Sequence, residues 1–122
     1  MYGELTGVIV DCAITVHKLL GPGLLESAYE ECLYFELQNK DLHLSKQLPM
    51  PLIYKDRKLD IGYRIDLLVG ECVVIEIKSV DALADIHLAQ ILTYLKLSGC
   101  KLGLLINFNV VHLREGIKRV IL

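Results

Sequence analysis

Apolar residues recur at helical spacing over the first forty residues of the chain. In residues 3–20 the apolar positions that fall at helical spacing are Leu5, Val8, Ile9, Cys12, Val16 and Leu19. This spacing predicts an amphipathic helix, and the Gly-Pro-Gly sequence at 21–23 ends it. A second helix is predicted over about residues 24–40. Its apolar stripe consists of Leu25, Ala28, Cys32 and Leu33. The two helices are therefore expected to be joined by a tight turn.

After the second helix the pattern becomes that of β-strands. Residues 42–54 contain two prolines, which predicts an irregular or edge strand because proline cannot donate to a sheet. Residues 55–60 are polar and predict a turn. Two strands follow over residues 61–69 and 71–80, with a turn near Gly70.

The C-terminal third of the chain predicts one more helix and two strands. Residues 82–97 have the spacing of a helix, and Gly99 is the kind of residue that ends one. Residues 101–108 predict a buried strand, and residues 117–122 a short last strand. The resulting order, ααβββαβ(β), predicts a single α/β or α+β domain over residues 1–122.

Composition predicts a folded core and restricts how the chain could bind nucleic acid. Hydrophobic residues make up 53% of the 122 residues, and the mean hydropathy is +0.45. A folded core is therefore expected, and the surplus of apolar residues leaves room for a homodimer or a partner protein. The net charge of −2 provides no overall attraction to nucleic acid, so nucleic-acid binding would need a local basic patch.

The sequence predicts neither a membrane span nor a signal peptide. Asp11, Asn107 and Asn109 interrupt the longest apolar stretches, which stay below the roughly 18 residues that a membrane helix needs. Glu4 and Asp11 break the basic-then-apolar order of a signal peptide. We therefore expect a cytoplasmic protein that makes no contact with a membrane.

The four cysteines support the same expectation. They are Cys12, Cys32, Cys72 and Cys100. Because they are far apart and form no Cys-x-x-Cys pair, a zinc site of the usual spacing is not expected, and reduced thiols in a cytoplasm fit best. Cys12, Cys32 and Cys72 lie among apolar residues and are predicted to be small core residues.

An acid and a base stand together in the most strand-like segment of the chain. Glu76 and Lys78 are two residues apart, so they point to the same face of a strand, and Asp66 lies ten residues earlier. Two carboxylates and a lysine on a β-hairpin suit metal-assisted phosphodiester hydrolysis. The carboxylates hold a hard cation such as Mg²⁺, the cation activates water, and the lysine orients that water or stabilises the developing charge.

The two carboxylates can share a face only in certain registers. If Val69 paired with Cys72 across a two-residue turn, Asp66 would lie opposite Ile75 and Glu76 would point away from it. The hypothesis therefore predicts an odd-numbered connection or a β-bulge between the strands. The competing interpretation is that Glu76 and Lys78 form an ordinary ion pair on a solvated strand face.

Two further groups of polar residues fit the same chemistry. Gln90 and Tyr94 are four residues apart on one helix face, with His87 three residues before Gln90. Gln90 and Tyr94 can bind metal waters or phosphate oxygens; the alternative interpretation is an amphipathic core tyrosine and an exposed glutamine. A structural role is favoured for His87.

The start of the second helix adds another acid. Gly23, Glu26 and Tyr29 stand at fixed spacing, with Glu26 in the first helical turn. An acid there stabilises the helix dipole, and it could also serve as a further acid beside the metal.

Taken in order, these residues resemble a known family. The Gly-Leu-Leu-Glu-Ser-Ala-Tyr segment at 23–29 is similar to the G-x-x-E-x-x-Y signature of the GxxExxY proteins, members of the PD-(D/E)xK nuclease superfamily. Asp66, Glu76 and Lys78 resemble the catalytic core of that superfamily, although Ile65 replaces the proline of its name. The Gln-x-x-x-Tyr spacing in the third helix resembles the RecB-like branch, and residues 103–108 resemble the strand that follows it.

The resemblance implies a fold, a cofactor and a set of site residues. The fold would be a restriction-endonuclease-like αβββαβ core, a mixed sheet flanked by helices, with an additional N-terminal helix. One or two Mg²⁺ or Mn²⁺ ions would be held by Glu26, Asp66, Glu76 and the carbonyl of Ile77. The catalytic residues would be Asp66, Glu76, Lys78, Gln90 and Tyr94. The substrate would be nucleic acid, with DNA favoured.

Other functions stay open at this stage. The first is a catalytically weak nucleic-acid-binding or assembly module of the same fold, and the second is a structural homo-oligomer. A glycosidase would also use paired carboxylates, but it leaves Lys78 and the Gln-Tyr helix without a role. Two basic segments could contact phosphates in any nucleic-acid-binding protein. They consist of Lys55, Arg57 and Lys58, and of Arg114, Lys118 and Arg119.

Overall fold

The computed structural model describes residues 2–70 and 72–122 of the chain, and the side chain of Tyr2 lies outside that description. The helices are α1 (Tyr2–Leu20), α2 (Glu26–Gln38) and α3 (Asp85–Ser98), with a short 3₁₀ helix at Leu113–Gly116. The strands are β1 (Leu44–Pro49), β2 (Leu52–Tyr54), β3 (Arg57–Leu59), β4 (Arg64–Val69), β5 (Val73–Lys78), β6 (Leu102–Asn107) and β7 (Ile117–Ile121).

Five of the strands form one mixed sheet in the order β1-β4-β5-β6-β7. β5 and β6 are parallel, and the other neighbours are antiparallel. The helix α3 connects the two parallel strands, as a parallel pair requires a long crossover. The elements α2, β1, β4, β5, α3 and β6 therefore follow the order αβββαβ, with α1 as the additional helix. The predicted restriction-endonuclease-like fold is confirmed.

Helices cover the sheet on both faces. One apolar cluster includes Ile9 of α1, Leu33 of α2 and Ile75 of β5. The second includes Ile91 of α3 and Val74 of β5. The two central strands are consequently buried on both faces, which explains why their sequences are almost continuously apolar. Polar residues in these strands need a reason that packing does not supply.

The polar turn predicted over residues 55–60 is wrong in part. Residues 57–59 form β3, which pairs with β2 in a separate two-stranded hairpin. The turn itself is only Lys55 and Asp56, both with positive φ, at 47° and 67°. Two-residue hairpin turns need positive φ at both positions and favour glycine there. The Lys-Asp sequence contains no glycine, so the sequence does not predict this hairpin.

The single strand predicted over residues 42–54 is two strands, because Met50 and Pro51 separate β1 from β2. β1 lies at the edge of the sheet, as its proline content predicts. The helices and the remaining strands lie where they are predicted, with ends that differ by a few residues. The strand predicted from residue 61 begins at Arg64. Gly62 has a φ of +85°, which is incompatible with a β-strand at that position.

The predicted apolar stripes are wrong at their ends. Leu19 and Leu25 are 77% and 76% exposed, because both lie at helix ends beside the Gly-Pro-Gly turn. In α2 the buried residues are Tyr29, Leu33 and Leu37, so the prediction is confirmed for Leu33, while Ala28 and Cys32 are half-buried.

No disulfide joins the four cysteines, all of which the structure describes, with Cys12 and Cys100 buried and Cys32 and Cys72 half-buried. The prediction of core positions is therefore met fully by Cys12 and partly by Cys32 and Cys72, and it missed Cys100. Within the described residues, none of the helices is both long and apolar enough to cross a membrane.

Candidate active site

The register of β4 and β5 brings Asp66 and Glu76 together. Val69 pairs with Val73 and Leu67 with Ile75, so residues 70–72 form a three-residue connection. The same register places Asp66 opposite Glu76. The predicted odd-numbered connection is therefore present.

Beyond the Leu67–Ile75 pair, backbone N–H groups of the two strands donate to carboxylate side chains of the opposite strand. The backbone N–H of Asp66 donates to Oε1 of Glu76 at 3.2 Å. The N–H of Ile77 donates to Oδ2 of Asp66 at 2.8 Å. Each acid therefore accepts a hydrogen bond from the opposite strand. This arrangement fixes both carboxyl groups where the start of β4 meets the end of β5.

The two acids are held in a setting that opposes their ionisation. Glu76 is 3% exposed. Burial, followed by the charge of Asp66, raises the pKa of Glu76 to about 8. Burial also raises the pKa of Asp66, against the opposing effects of the Ile77 N–H and the Lys78 ammonium. Carboxylates this close cannot both ionise easily, so the pair retains a proton near neutral pH.

Lys78, Gln90 and Tyr94 form a second group beside the acids. The ammonium of Lys78 donates to Oε1 of Gln90 at 3.0 Å. Tyr94 is 5% exposed, and burial and then the charge of Glu76 raise the pKa of its hydroxyl. Hydrogen bonds with the Arg64 backbone and the Gln90 side chain act in the opposite direction. Gln90 therefore links Lys78 at the end of β5 to Tyr94, its neighbour one turn along α3.

Glu26 reaches the same end of the sheet from α2. Its Oε2 accepts a hydrogen bond from the Ser79 N–H at 3.1 Å. The hydroxyl of Ser79 donates to the Leu24 carbonyl at 2.6 Å. These two bonds tie the start of α2 to the residue that follows Lys78. The structure thus brings Glu26 to the end of β5, where the other predicted site residues lie.

Tyr29 holds the turn that precedes Glu26. Its hydroxyl donates to the Gly21 carbonyl at 2.6 Å and accepts from the Leu24 N–H at 3.1 Å. Its ring stacks on Phe108, with the centroids 4.5 Å apart and the planes 9° from parallel. Tyr29 is buried and is a positioning residue. The Gly-x-x-Glu-x-x-Tyr spacing therefore has a physical explanation, because the tyrosine fixes the turn that places the acid.

Sequence reasoning missed a further acid, Glu30, and its partner Gln47. Burial, followed by the charge of Asp66, raises the pKa of Glu30 to about 7. The Gln47 amide donates to Oε1 of Glu30 at 2.7 Å and, more weakly, to Oδ1 of Asp66 at 3.3 Å. Gln47 has a φ of +52° inside β1, and such strain collects at functional sites. The spacing of Glu30, one helical turn after Glu26, was the available signal.

Sequence reasoning also missed the role of Asn107 at the end of β6. This side chain is 2% exposed. It accepts hydrogen bonds from the N–H groups of Val80 and Asn109 at 3.1 and 3.2 Å, and it donates to the Val80 carbonyl at 3.0 Å. Asn107 therefore holds the loop that begins two residues after Lys78. A lone asparagine after five buried apolar positions was its signal.

His87 has the structural role that the sequence favours. Its Nδ1 accepts a hydrogen bond from the Ala84 N–H at 2.9 Å and so caps the start of α3. Because Nδ1 is the acceptor, the neutral ring carries its proton on Nε2.

The residues of each basic segment are divided between different elements of the structure. Lys55 lies in the β2–β3 turn, while Arg57 and Lys58 lie on β3, and all three are exposed. Arg114 lies in the 3₁₀ helix. Lys118 and Arg119 are opposite Leu105 and Leu104 in adjacent β7 positions. They therefore point to opposite faces of the sheet and cannot form one patch with each other.

The acids have the donor atoms that a divalent cation prefers, but their side chains are not gathered around one point. Within residues 2–70 and 72–122, no three His, Cys, Asp or Glu side chains stand together as metal ligands. The oxygen donors are nevertheless those that Mg²⁺ and Mn²⁺ prefer. Burial, followed by the charge of Asp66, raises the pKa values of Glu30 and Glu76, and a cation would relieve the repulsion between the acids. The residues fit such an ion, although their carboxylates are now bonded to backbone and amide N–H groups.

Comparison with known proteins gives one match. A family model described as the PD-(D/E)XK nuclease superfamily matches residues 3–120. No curated protein and no solved structure gives a significant match. The matched range contains every acid, lysine, glutamine and tyrosine of the site described above.

Proposed function

Because the chain belongs to the PD-(D/E)XK nuclease superfamily, we propose that it is a metal-dependent nuclease that hydrolyses phosphodiester bonds, with DNA as the favoured substrate. The observation that carries the proposal is the pairing of Asp66 with Glu76, an acid that is 3% exposed and has a pKa raised to about 8. Lys78 completes the set on the same strand face. A stable core has no need of this arrangement.

The proposed site residues form two groups. The first would hold the metal ion, and the second consists of Lys78 and the residues that position it. Asp66 and Glu76 would hold a Mg²⁺ or Mn²⁺ ion, with Glu26 and the Ile77 carbonyl as further oxygen donors. When bound, such an ion polarises the phosphoryl oxygen and lowers the pKa of water. Glu30 stands one helical turn behind Glu26 and hydrogen-bonds through Gln47, so it is a candidate to orient the ligand set.

Lys78 would act on the attacking water or on the phosphate. Its ammonium is held by Gln90, which fixes a side chain that otherwise has four free torsions. A fixed positive charge stabilises the negative charge that develops at phosphorus. Tyr94 supports Gln90 from the other side. The Gln90–Tyr94 pair supports a place in the RecB-like branch, and Gly23, Glu26 and Tyr29 support a place among the GxxExxY proteins.

A proton must leave the acid pair before it can hold a cation. Glu76 and Asp66 both have raised pKa values, and only ionised carboxylates bind hard cations well. Cation affinity and activity should therefore rise with pH up to about 8, and cation binding should release protons.

Cleavage by substituted proteins tests the proposal. Asp66→Ala and Lys78→Ala should each abolish Mg²⁺- or Mn²⁺-dependent cleavage of DNA and leave the fold intact. Lys96→Ala removes an exposed lysine of α3 and serves as the control, because it should cleave like the wild type. Continued cleavage by purified Asp66→Ala would overturn the assignment.

A second candidate is a nucleic-acid-binding module without useful catalysis. The observation in its favour is that the carboxylates are occupied by N–H groups and that the described residues hold no ready set of three ligands. Salt-dependent DNA binding through the exposed residues Lys55, Arg57 and Lys58, without cleavage in either metal, would favour it.

A further inference from the structure

A groove runs along α3 beside the proposed active site. It encloses about 320 Å³, at the lower end of the roughly 300–1,000 Å³ of small-molecule sites. Tyr63 lines one side, and Ile86, His87, Gln90 and Tyr94 of α3 are among its other lining residues. Gln90 also accepts the hydrogen bond from Lys78, and Tyr94 hydrogen-bonds with Gln90, so the groove shares two residues with the proposed site.

Tyr63 presents an aromatic ring at the wall of this groove. The side chain is 42% exposed. Its ring meets Tyr94 edge to face, with the centroids 6.4 Å apart and the planes at 78°. The Met50 N–H donates to the Tyr63 carbonyl at 2.8 Å and anchors the backbone. A partly exposed ring on an anchored backbone, in contact with a second aromatic ring, is a platform for a flat ligand.

The remaining walls offer both apolar contact and hydrogen bonding. Ile86 is 71% exposed and adds aliphatic surface. The His87 ring carries its proton on Nε2, because Nδ1 caps α3. The amide of Gln90 supplies further polar atoms. An aromatic face with a few polar groups matches the needs of a nucleobase, which combines a π-face with a polar edge.

The charge of the surrounding segment favours nucleic acid as the occupant. The β2–β3 hairpin leaves the sheet at Met50 and returns at Tyr63. Residues 52–64 carry four basic residues and two acidic ones, in a chain of net charge −2. Positive charge is thus concentrated in the segment that leads into the groove. Basic residues beside an aromatic platform are the pattern of proteins that bind single strands.

We propose that this groove is a stacking subsite for one unpaired nucleotide base beside the phosphate that is cleaved. The proposal rests on the proposed nuclease function and deepens it by naming the substrate class. A base in a duplex is stacked and paired, and extracting it costs free energy that an unpaired base does not require. The chain should therefore prefer single-stranded nucleic acid, or an end with unpaired nucleotides, over a continuous duplex.

The test is a binding cycle between Tyr63 and a base, performed with chelator so that no cleavage occurs. The ligands are a single-stranded oligonucleotide and a strand of the same length in which the bases are replaced by abasic sites. The proteins are wild type, Tyr63→Ala, Tyr63→Phe and Tyr54→Ala. Tyr54 is a matched control, because it is 58% exposed and does not line the groove.

Stacking is worth about 1–3 kcal/mol per base, which corresponds to a roughly 5- to 150-fold change in affinity. The wild type, Tyr63→Phe and Tyr54→Ala should bind the normal strand more tightly than the abasic one by that factor. Tyr63→Ala should lose this difference. The proposal is overturned if the wild type does not distinguish the two strands, or if Tyr63→Ala distinguishes them equally well.

A parallel cleavage assay separates this proposal from the nuclease assignment. If the wild type cleaves nucleic acid but shows no coupling between Tyr63 and the base, the nuclease assignment stands and the subsite fails. If the coupling is present without metal-dependent cleavage, the subsite stands and the catalytic assignment fails.

Discussion

The neighbouring strands β5 and β6 are almost equally buried, yet they carry different chemistry. All six residues of β6 are buried, and five of them are Leu, Ile or Gly. β5 contains Glu76 and ends in Lys78. Their parallel register pairs Glu76 with Leu105 and Lys78 with Asn107. The comparison shows that the sheet accepts an apolar side chain at this depth, so the buried acid is not required by the fold.

The buried polar residues of the two strands also differ in how they are satisfied. Asn107 makes three hydrogen bonds to backbone groups, which is the usual condition for a buried polar group. Glu76 accepts one from the Asp66 N–H and faces another acid. Asn107 therefore stabilises the structure, whereas Glu76 keeps a reactive group in place at a cost in stability.

Replacing Glu76 should have the largest effect and should separate activity from stability. Glu76→Gln keeps the size and the acceptor oxygen but cannot provide a charged ligand. Loss of supporting groups around a metal costs roughly 10- to 100-fold, so we expect activity to fall by more than about 100-fold. Melting curves at pH 8 should show the variant to be at least as stable as the wild type.

The same variant should change the pH dependence of stability. The pKa of Glu76 is raised from 4.5 to about 8 in the folded chain. The folded protein therefore holds a proton that the unfolded chain releases, and stability should fall as the pH rises through this range, by up to about 1.4 kcal/mol per unit. Glu76→Gln should flatten the slope measured by denaturant unfolding at pH 5 to 8. An unchanged slope would show that Glu76 ionises normally.

Leu105, the β6 partner of Glu76, should respond in the opposite way. Leu105→Ala removes a fully buried side chain from the α3 side of the sheet. We expect a loss of about 2–5 kcal/mol in the free energy of unfolding, measured with urea. The protein that remains folded should keep most of its activity. A loss of activity comparable to that of Glu76→Gln would contradict the division between the strands.

Asn107 should give a smaller effect on stability and a secondary effect on activity. Asn107→Ala leaves the backbone groups of Val80 and Asn109 without their partner, which should cost about 1–3 kcal/mol. Asn109→Ala is the matched control, because the Asn109 amide makes only a 3.4 Å contact with the Val80 carbonyl. Equal unfolding free energies for the two variants would contradict the role of Asn107 in holding the loop that begins at Val80.

Charge removal from the β2–β3 hairpin should have the smallest effect. In Lys55→Ala/Arg57→Ala/Lys58→Ala, binding of a single strand should weaken, and its salt dependence should become less steep by about 0.7 for each phosphate that is no longer neutralised. The control Lys18→Ala/Lys40→Ala/Lys101→Ala carries the same change in charge elsewhere. If both variants bind alike, the effect is one of net charge, and the hairpin has no special role.

The sequence predicted the parts of the site that periodicity can reveal. Glu76 and Lys78 alternate along β5, and Asp66 of β4 can share their face only in one set of registers. The three-residue connection provides such a register. Gln90 and Tyr94 lie on one helix face, as their spacing predicts. These relations follow from local geometry, which the order of residues determines.

Other features depend on contacts between distant segments, and periodicity does not reveal them. Glu30 became a site residue only because the fold brings α2 beside Asp66, where Glu30 hydrogen-bonds with Asp66 and both acids accept from Gln47 of β1. Asn107 acts on Val80, 27 residues away in the chain. The β2–β3 hairpin was missed because Lys55 and Asp56 adopt positive φ without a glycine. The metal ligands of the site stay a prediction.

The most direct test of the central claim is calorimetric titration of Mn²⁺ and Mg²⁺ into the wild type and into Asp66→Ala/Glu76→Ala. The titrations are run at pH 6 and pH 8, with and without a single-stranded oligonucleotide that resists cleavage. The buried acid pair predicts binding by the wild type alone, tighter at pH 8 and accompanied by proton release. Equal heats for the two proteins, or no binding by the wild type in any of these conditions, would contradict a metal site at Asp66 and Glu76.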